Sequence, residues 1–402
     1  MKLAHAEWQA APEMRRLLDV LGGEEGETRY VGGCVRDTLL GLPVSDIDLA
    51  TRLLPDEVME RLKRASIRAV PTGLAHGTVT AVLAGRPVEV TTLRRDVATD
   101  GRRATVAYTE DWKEDAARRD FTINALSADP SSGEVFDYFG GEADLDERRV
   151  RFIGDALTRI AEDHLRILRF FRFHARFGRG DPDAAGLDAC TARANDLMAL
   201  SRERIADELL KLLALPDPAP TVALMTERGI LRPVLPEIEP GSVPALATLI
   251  RAEVAAGVAP EALRRLAALL PPDPELAAAV AARLRFSKRA ARRLESAAAR
   301  GQGREAEPEP LAYRLGRDEA VDRLLLCGTD PAAVRRLDGW AKPRFPLTGG
   351  DLIALGLPPG PVVARTLQAV EREWVEGGFV EGEAAALSLA RRHVDQALRS
   401  SQ

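Results

Sequence analysis

The residues best placed to do chemistry are two carboxylates two positions apart, in Ser45-Asp46-Ile47-Asp48-Leu49. In a strand, side chains two apart share a face, so both carboxylates converge while Ile47 and Leu49 turn to the core. Hard oxygen ligands on one rigid element suit Mg²⁺, which keeps several waters and completes its shell with substrate phosphates. A DxD triplet by itself is commonly solvated charge. In this chain a Gly32-Gly33 pair lies just upstream, between the Tyr30-Val31 strand end and a short helical run to Gly41. Bare backbone N–H groups at such a turn can approach a polyphosphate. With Arg36 as a nearby cation, these residues describe a site for a metal-bound nucleoside triphosphate.

Further stretches carry matching chemistry. Arg118-Arg119-Asp120-Phe121-Thr122-Ile123-Asn124 sets two arginines before an apolar segment. They read either as helix-surface charge or as the bidentate, permanently charged donors that a triphosphate requires. Glu89, on the Pro87–Thr92 strand, reads either as a solvent-facing glutamate or as a third carboxylate. Asp163 and Arg166 are three apart on a helix and so are neighbours, and as a simple intrahelical ion pair they are worth a few tenths of a kcal/mol. They also match a base edge. Cytosine and adenine each present an amino donor beside a ring-nitrogen acceptor, which an aspartate and an arginine complement. Uracil and guanine invert that pattern and would set a buried charge against like polarity. Arg169 and Arg172 continue the stripe in steps of about 60° round the helix, with side chains long enough for a triphosphate. Arg94–Arg103 is polar and charged and reads as a mobile surface loop.

Taken in order, four blocks resemble the signature of the nucleotidyltransferase superfamily, specifically the class II tRNA nucleotidyltransferases and poly(A) polymerases of bacteria. They are Gly32-Gly33-x-Val35-Arg36-Asp37-x-Leu39-Leu40-Gly41, Asp46-x-Asp48-x-Ala50-Thr51, Arg118-Arg119-Asp120-x-Thr122-x-Asn124-Ala125 and Glu162-Asp163-x-x-Arg166. The resemblance covers residues 28–210 strongly and the remainder loosely. It implies that Asp46 and Asp48 are the metal-binding catalytic carboxylates, with Glu89 the acidic residue beside them. It implies nucleotide contacts from Gly33, Arg36, Arg119, Asp163, Arg166, Arg169 and Arg172, with Asp163 and Arg166 the protein template for C and A. Asp120 and Asn124 would brace the site or bind sugar. Arg94–Arg103 takes the place of a flexible loop that helps change specificity from CTP to ATP, and its presence counts against a CC-only enzyme. Ser201–Leu209 resembles a neck-stabilising motif. Phe345–Pro361 resembles a segment that contacts tRNA, and a packing corner is its other reading. The implied activity is addition of C, C and A to the tRNA 3′ end from CTP and ATP, with Mg²⁺ as cofactor and no obligate protein partner. Two rivals stay open: a poly(A) polymerase or A-adding enzyme on the same head, and a non-catalytic RNA-binding protein on a transferase fold.

The elements that must position these groups follow from pattern. A chain of 402 residues is too long for one ordinary core and predicts two to four domains. A helix is expected over residues 12–21, strands at Tyr30-Val31 and Asp46–Leu49, and a helix at Pro55–Ala65. A hairpin of Thr78–Leu83 and Pro87–Thr92 is expected about Gly85-Arg86. Apolar residues at three- and four-residue steps predict one helix over Asp155–Phe177, ended by Gly178, and another over Arg202–Leu213. The fold class is therefore α+β: a nucleotidyltransferase-type α/β head with a mixed or antiparallel sheet, then an all-helical neck and C-terminal body. The expected division is a helical extension at 1–27, the head at 28–150, the neck with its template helix at 151–215, and a helical tRNA-binding body at 216–402.

Composition fits. The net charge of −5 argues against wholesale nucleic-acid coating, yet nine arginines between Arg148 and Arg179 face only Asp155, Glu162 and Asp163. Cys34, Cys190 and Cys327 form no CxxC pair, so neither a disulfide framework nor a zinc site is indicated, and a reducing cytoplasm is the simplest home. No apolar run approaches the roughly 20 residues of a membrane span, and Met1–His5 lacks an apolar signal core. His5, His76, His164, His174 and His393 form no HD or HxxxH pair, which excludes the phosphohydrolase domain attached to some relatives.

Overall fold

Alternating apolar residues from Thr28 onward become, in the computed structural model, one mixed sheet and a separate ribbon. Residues 2–4, 6–100, 103–301, 307–379 and 382–399 are described. Their strands are β1 (Thr28–Val31), β2 (Asp48–Thr51), β3 (Arg68–Gly73), β4 (Thr78–Leu83), β5 (Arg86–Thr92), β6 (Arg94–Asp100), β7 (Arg103–Tyr108), β8 (Ser127–Ala128) and β9 (Val135–Phe136). The sheet runs β3-β4-β5-β2-β1-β8-β9, and β6 pairs only with β7. β2 and β5 are parallel, and their register sets Asp48 directly beside Glu89. Along β5, Val88, Val90 and Thr92 are buried while Glu89 is exposed, the two-residue alternation of a half-buried strand. The hairpin turns on Ala84-Gly85, both at positive φ (47° and 84°), one residue earlier than expected. Such a two-residue turn matches the strand twist.

Three expectations change. Strand β2 begins at Asp48, so Asp46 sits on the loop before it and is exposed. The Arg94–Arg103 stretch is not a simple loop: β6 and β7 pair from Arg94↔Tyr108 to Asp100↔Arg103, and the tip at 101–102 lies outside the described residues. Val97 and Thr99, with Thr105 and Val106 on the partner strand, are strand formers, and the surrounding charge masked them. The third change is in the neck. The expected single helix is two, Ala156–Glu162 and Arg166–Phe177, with Asp163 between them in extended backbone (φ −152°, ψ 106°). The Asp163 carboxylate accepts the backbone N–H of Leu165 at 3.1 Å, a local bond of the kind by which aspartate interrupts a helix and starts another. β3 was not anticipated. It is an edge strand containing Pro71, with no buried residue to betray it.

The chain divides into two compact units, Met1–Pro236 and Glu237–Gln402. The first includes the Arg202–Leu213 helix and the Ala219–Glu227 helix, both packed against Arg166–Phe177, so it runs past the expected boundary at 215. The second is helical in its described residues and encloses charge: Glu253 accepts from Arg264 and Arg265, and Asp322 accepts from Arg264 and Arg293. Glu253, Arg264, Arg265 and Asp322 are all buried. Within Phe345–Pro361, Leu347, Leu352 and Leu357 are core residues, the packing-corner arrangement. No helix among the described residues is long and apolar enough to cross a membrane.

Candidate active site

One cavity of about 550 Å³ in the first unit gathers most of the chemistry-bearing residues. Gly32, Gly33, Arg36, Asp46 and Asp48 form one wall, Arg118, Arg119, Asp120 and Asn124 a second, and Asp163, Arg166, Arg169, Phe173 and Arg176 a third.

On the first wall, Gly32 at φ 69° follows the end of β1, and Gly33 starts the Gly33–Leu39 helix. The positive φ requires glycine, and a Cβ on Gly32 would lie 2.9 Å from Arg119 Nη1, so a larger residue would displace the end of that guanidinium. Asp48 is half-buried at the start of β2. Burial first, then the Glu89 carboxylate and, less strongly, Asp46, push its carboxyl up to about 6, against the pull of Arg119. Asp46 accepts from Ser45 Oγ at 2.8 Å. Glu89 stands beside Asp48 in register but does not line the cavity. Among the described residues no three acidic, histidine or cysteine side chains form a complete metal cage. Two carboxylates on a cavity wall nevertheless fit Mg²⁺, which takes one or two protein carboxylates and fills its shell with water and phosphate.

Arg36 is largely committed to the protein. Its Nε and Nη2 donate to Asp37 at 2.8 and 2.7 Å, Nη1 donates to Asn124, and the guanidinium lies 4.1 Å from the Phe177 ring centre. On the second wall Arg118 and Arg119 share Asp115, at 2.9 and 3.3 Å. Burial opposes the Asp115 charge, but the two arginines outweigh it and hold the carboxyl below the usual carboxylate range. Asp120 is likewise held low, against burial, by Arg169 at 2.6 Å and by Asn124 Nδ2 at 2.9 Å.

The third wall departs most from expectation. Asp163 and Arg166 do not pair with each other. Asp163 Oδ2 accepts from Arg204 at 2.7 Å. Arg166 donates through Nη1 to Glu162 and to the Arg159 carbonyl (2.8 Å), and through Nη2 to the Arg118 carbonyl (3.0 Å). Arg172 turns off the cavity to Glu208 at 2.6 Å. Arg118, read with Arg119 as a possible triphosphate donor, lines it, as do Phe173 and Arg176, to which the sequence reading assigned no role. The signal available for the last two was helical spacing, seven and ten residues on from Arg166.

Gly33, Arg36, Asp46, Asp48, Arg119, Asp163, Arg166 and Arg169 are thus brought together, and Glu89 and Arg172 lie outside the wall. The arrangement offers guanidinium forks for phosphate, carboxylates for a divalent ion, and an Asp/Arg pair for a base edge. Compared with known proteins, residues 28–151 match the Poly A polymerase head domain and residues 183–241 the probable RNA and SrmB-binding site of polymerase A. The mitochondrial CCA tRNA nucleotidyltransferase 1 of Mus musculus is 34% identical over 400 residues, covering 94% of this chain and 90% of that one. The CCA-adding enzyme of Oceanobacillus iheyensis is 42% identical over 206 residues, 51% of this chain and 49% of that one. Among solved structures, Bacillus stearothermophilus CCA-adding enzyme in complex with CTP superposes with a TM-score of 0.74 at 26% identity, covering 98% of this chain and 100% of that one. Sharing a third of its residues with a relative along nearly the whole of both chains, this chain belongs to the tRNA nucleotidyltransferase and poly(A) polymerase family.

Proposed function

We propose that this chain adds C, C and A to the 3′ end of tRNA from CTP and ATP, releasing pyrophosphate, with side chains rather than a nucleic-acid strand choosing the base. The observation that carries this reading is what Arg166 and Asp163 have left to offer. A guanidinium has five N–H donors. Three of those on Arg166 are taken by Glu162 and two carbonyls, leaving Nε–H and one Nη2–H on a residue that lines the cavity. Each Asp163 oxygen accepts one donor and keeps lone-pair capacity. Remaining guanidinium donors beside remaining carboxylate acceptors are the complement of the C and A edges. The names of the relatives, CCA-adding enzymes among them, support the same reading.

Family members work with divalent metal ions, and we assign Mg²⁺ to Asp46 and Asp48, with Glu89 alongside. Bound there, it would lower the pKa of the tRNA 3′ hydroxyl and offset charge on the triphosphate. The chain's own groups do the rest. The Gly32-Gly33 turn and Arg119 hold the triphosphate, Asp120 and Asn124 keep Arg169 and Arg36 in place, and Asp163 and Arg166 orient the base. Orientation of this kind converts a bimolecular encounter into an in-line displacement. We assign tRNA contacts to the helical region from 216 onward and, on the strength of three free thiols, the chain to a reducing cytoplasm.

The test is incorporation of labelled CTP and ATP into tRNAs lacking CCA, CA or A, each nucleotide supplied alone and together. The expected result is completion of all three substrates to CCA and no further extension. Addition of A alone, or a growing poly(A) tail, overturns the assignment in favour of an A-adding enzyme or poly(A) polymerase. No incorporation with any substrate returns the chain to an RNA-binding role.

A further inference from the structure

We propose that Arg176 binds a substrate phosphate at this site, with the Phe177 ring as the platform that holds its guanidinium. The inference rests on the nucleotidyl-transfer reading and names a contact that the sequence motifs do not contain. Three observations carry it. The first is helical geometry: on the Arg166–Phe177 helix, at about 100° per residue, Arg169, Phe173 and Arg176 fall within about 80° of Arg166, whereas Arg172 lies about 120° away. Accordingly Arg176 lines the cavity and Arg172 is spent on Glu208.

The second is the distribution of carboxylates. Arg118 and Arg119 share Asp115, one oxygen each at 2.9 and 3.3 Å, and Arg169 holds Asp120 at 2.6 Å, so sharing a carboxylate is not peculiar to Asp37; what differs there is how unevenly it is shared. Asp37 must serve two guanidiniums. Arg36 takes it through two N–H donors at 2.7–2.8 Å, and Arg176 reaches the other oxygen only at 3.5 Å, with 41% of its side chain exposed. One carboxylate between two arginines leaves a net positive charge at the cavity wall. The third is the ring. Phe177 lies 4.1 Å from the Arg36 guanidinium and 4.9 Å from that of Arg176. An aromatic face orients a guanidinium without neutralising it, so the N–H fork stays available for an anion. The oxygen anions this activity brings to the cavity are phosphates, either of the incoming triphosphate or of the RNA end.

Equilibrium binding separates the sources and needs no turnover. Mg-CTP and Mg-ATP binding is measured by calorimetry, and binding of tRNA lacking CCA is measured by filter retention at several salt concentrations. These are compared for wild type, Arg176→Gln, Arg176→Lys, Asp37→Asn and the Asp37→Asn/Arg176→Gln double variant. Loss of a charged hydrogen bond predicts roughly a 10- to 100-fold weaker affinity in Arg176→Gln, partly recovered by Arg176→Lys. Weaker nucleotide binding assigns the phosphate to the triphosphate. Weaker RNA binding with a shallower salt dependence assigns it to the RNA backbone. Unchanged affinity for both overturns the proposal. So does wild-type affinity in the double variant, because Arg176 would then serve only to neutralise Asp37. A wild-type protein that binds both ligands but adds no nucleotide fails the functional reading and leaves this one standing on its own measurements.

Discussion

Replacing Arg166 with lysine separates base reading from scaffolding, because the two roles use different hydrogens. Glu162 and the carbonyls of Arg159 and Arg118 take three of the five guanidinium N–H groups. An ammonium has only three. Lysine can therefore keep the charge and satisfy the protein's acceptors, but it has none left for a base. CTP and ATP should lose one charged hydrogen bond to the ring nitrogen, about 1.5–3 kcal/mol, or roughly 10- to 150-fold in kcat/KM. UTP and GTP present an N–H at that position and should change little. Arg166→Ala should show the same selectivity change together with a stability loss of about 1–3 kcal/mol, since two carbonyls and Glu162 lose their donor. The assay is kcat/KM for the four triphosphates on tRNA lacking CCA, with a urea titration of each variant. An equal fall for all four nucleotides would show that Arg166 acts only as an electrostatic attractor, and the template argument would fail.

Asp46→Ala or Asp48→Ala should abolish addition while leaving the fold and tRNA binding intact, as judged by primer extension and filter binding; normal turnover in either removes the metal assignment. Gly32→Ala should cost about 1–3 kcal/mol, because alanine is strained at φ 69°, and should raise KM for CTP and ATP together, because its Cβ meets Arg119 Nη1 at 2.9 Å and displaces the guanidinium. A KM unchanged for both would mean that Arg119 is not a triphosphate contact. Deleting Val97–Arg103 should spare C addition more than A addition in single-nucleotide assays, and an equal loss would point to a structural ribbon. In the second unit, Glu253→Ala leaves the buried Arg264 and Arg265 without a shared carboxylate, and a loss of about 3–5 kcal/mol is expected in denaturant unfolding. A change under about 1 kcal/mol would mean that water or other groups replace it.

The sequence by itself determined what depends on near neighbours. The Gly-Gly turn before a helix, the Thr78–Leu83 strand and the Arg202–Leu213 helix lie where local pattern put them, whereas Asp46 falls on the loop before β2 and the hairpin turn comes one residue early. Periods of 2 and 3.6 residues, and the conformations that glycine permits, are properties of a few consecutive residues. Local pattern misled where a short-range bond competed with it. The apolar spacing of Asp155–Phe177 continues through Asp163, but the Asp163 carboxylate takes the backbone N–H of Leu165, two residues on, where the helix breaks.

Tertiary structure alone decided the pairings. Asp163 meets Arg204 across 41 residues, Arg166 meets the Arg118 carbonyl across 48, and the parallel pairing of β2 with β5 brings Glu89 to Asp48. It also decided which arginines of one stripe face the cavity, turning Arg172 to Glu208 and leaving Arg176 on the wall. The arginines of that stripe are chemically alike and differ only in what lies opposite once the helices pack. That rotation is set by the whole buried interface, Phe121, Phe170 and Phe173 included, and no short window of sequence contains it.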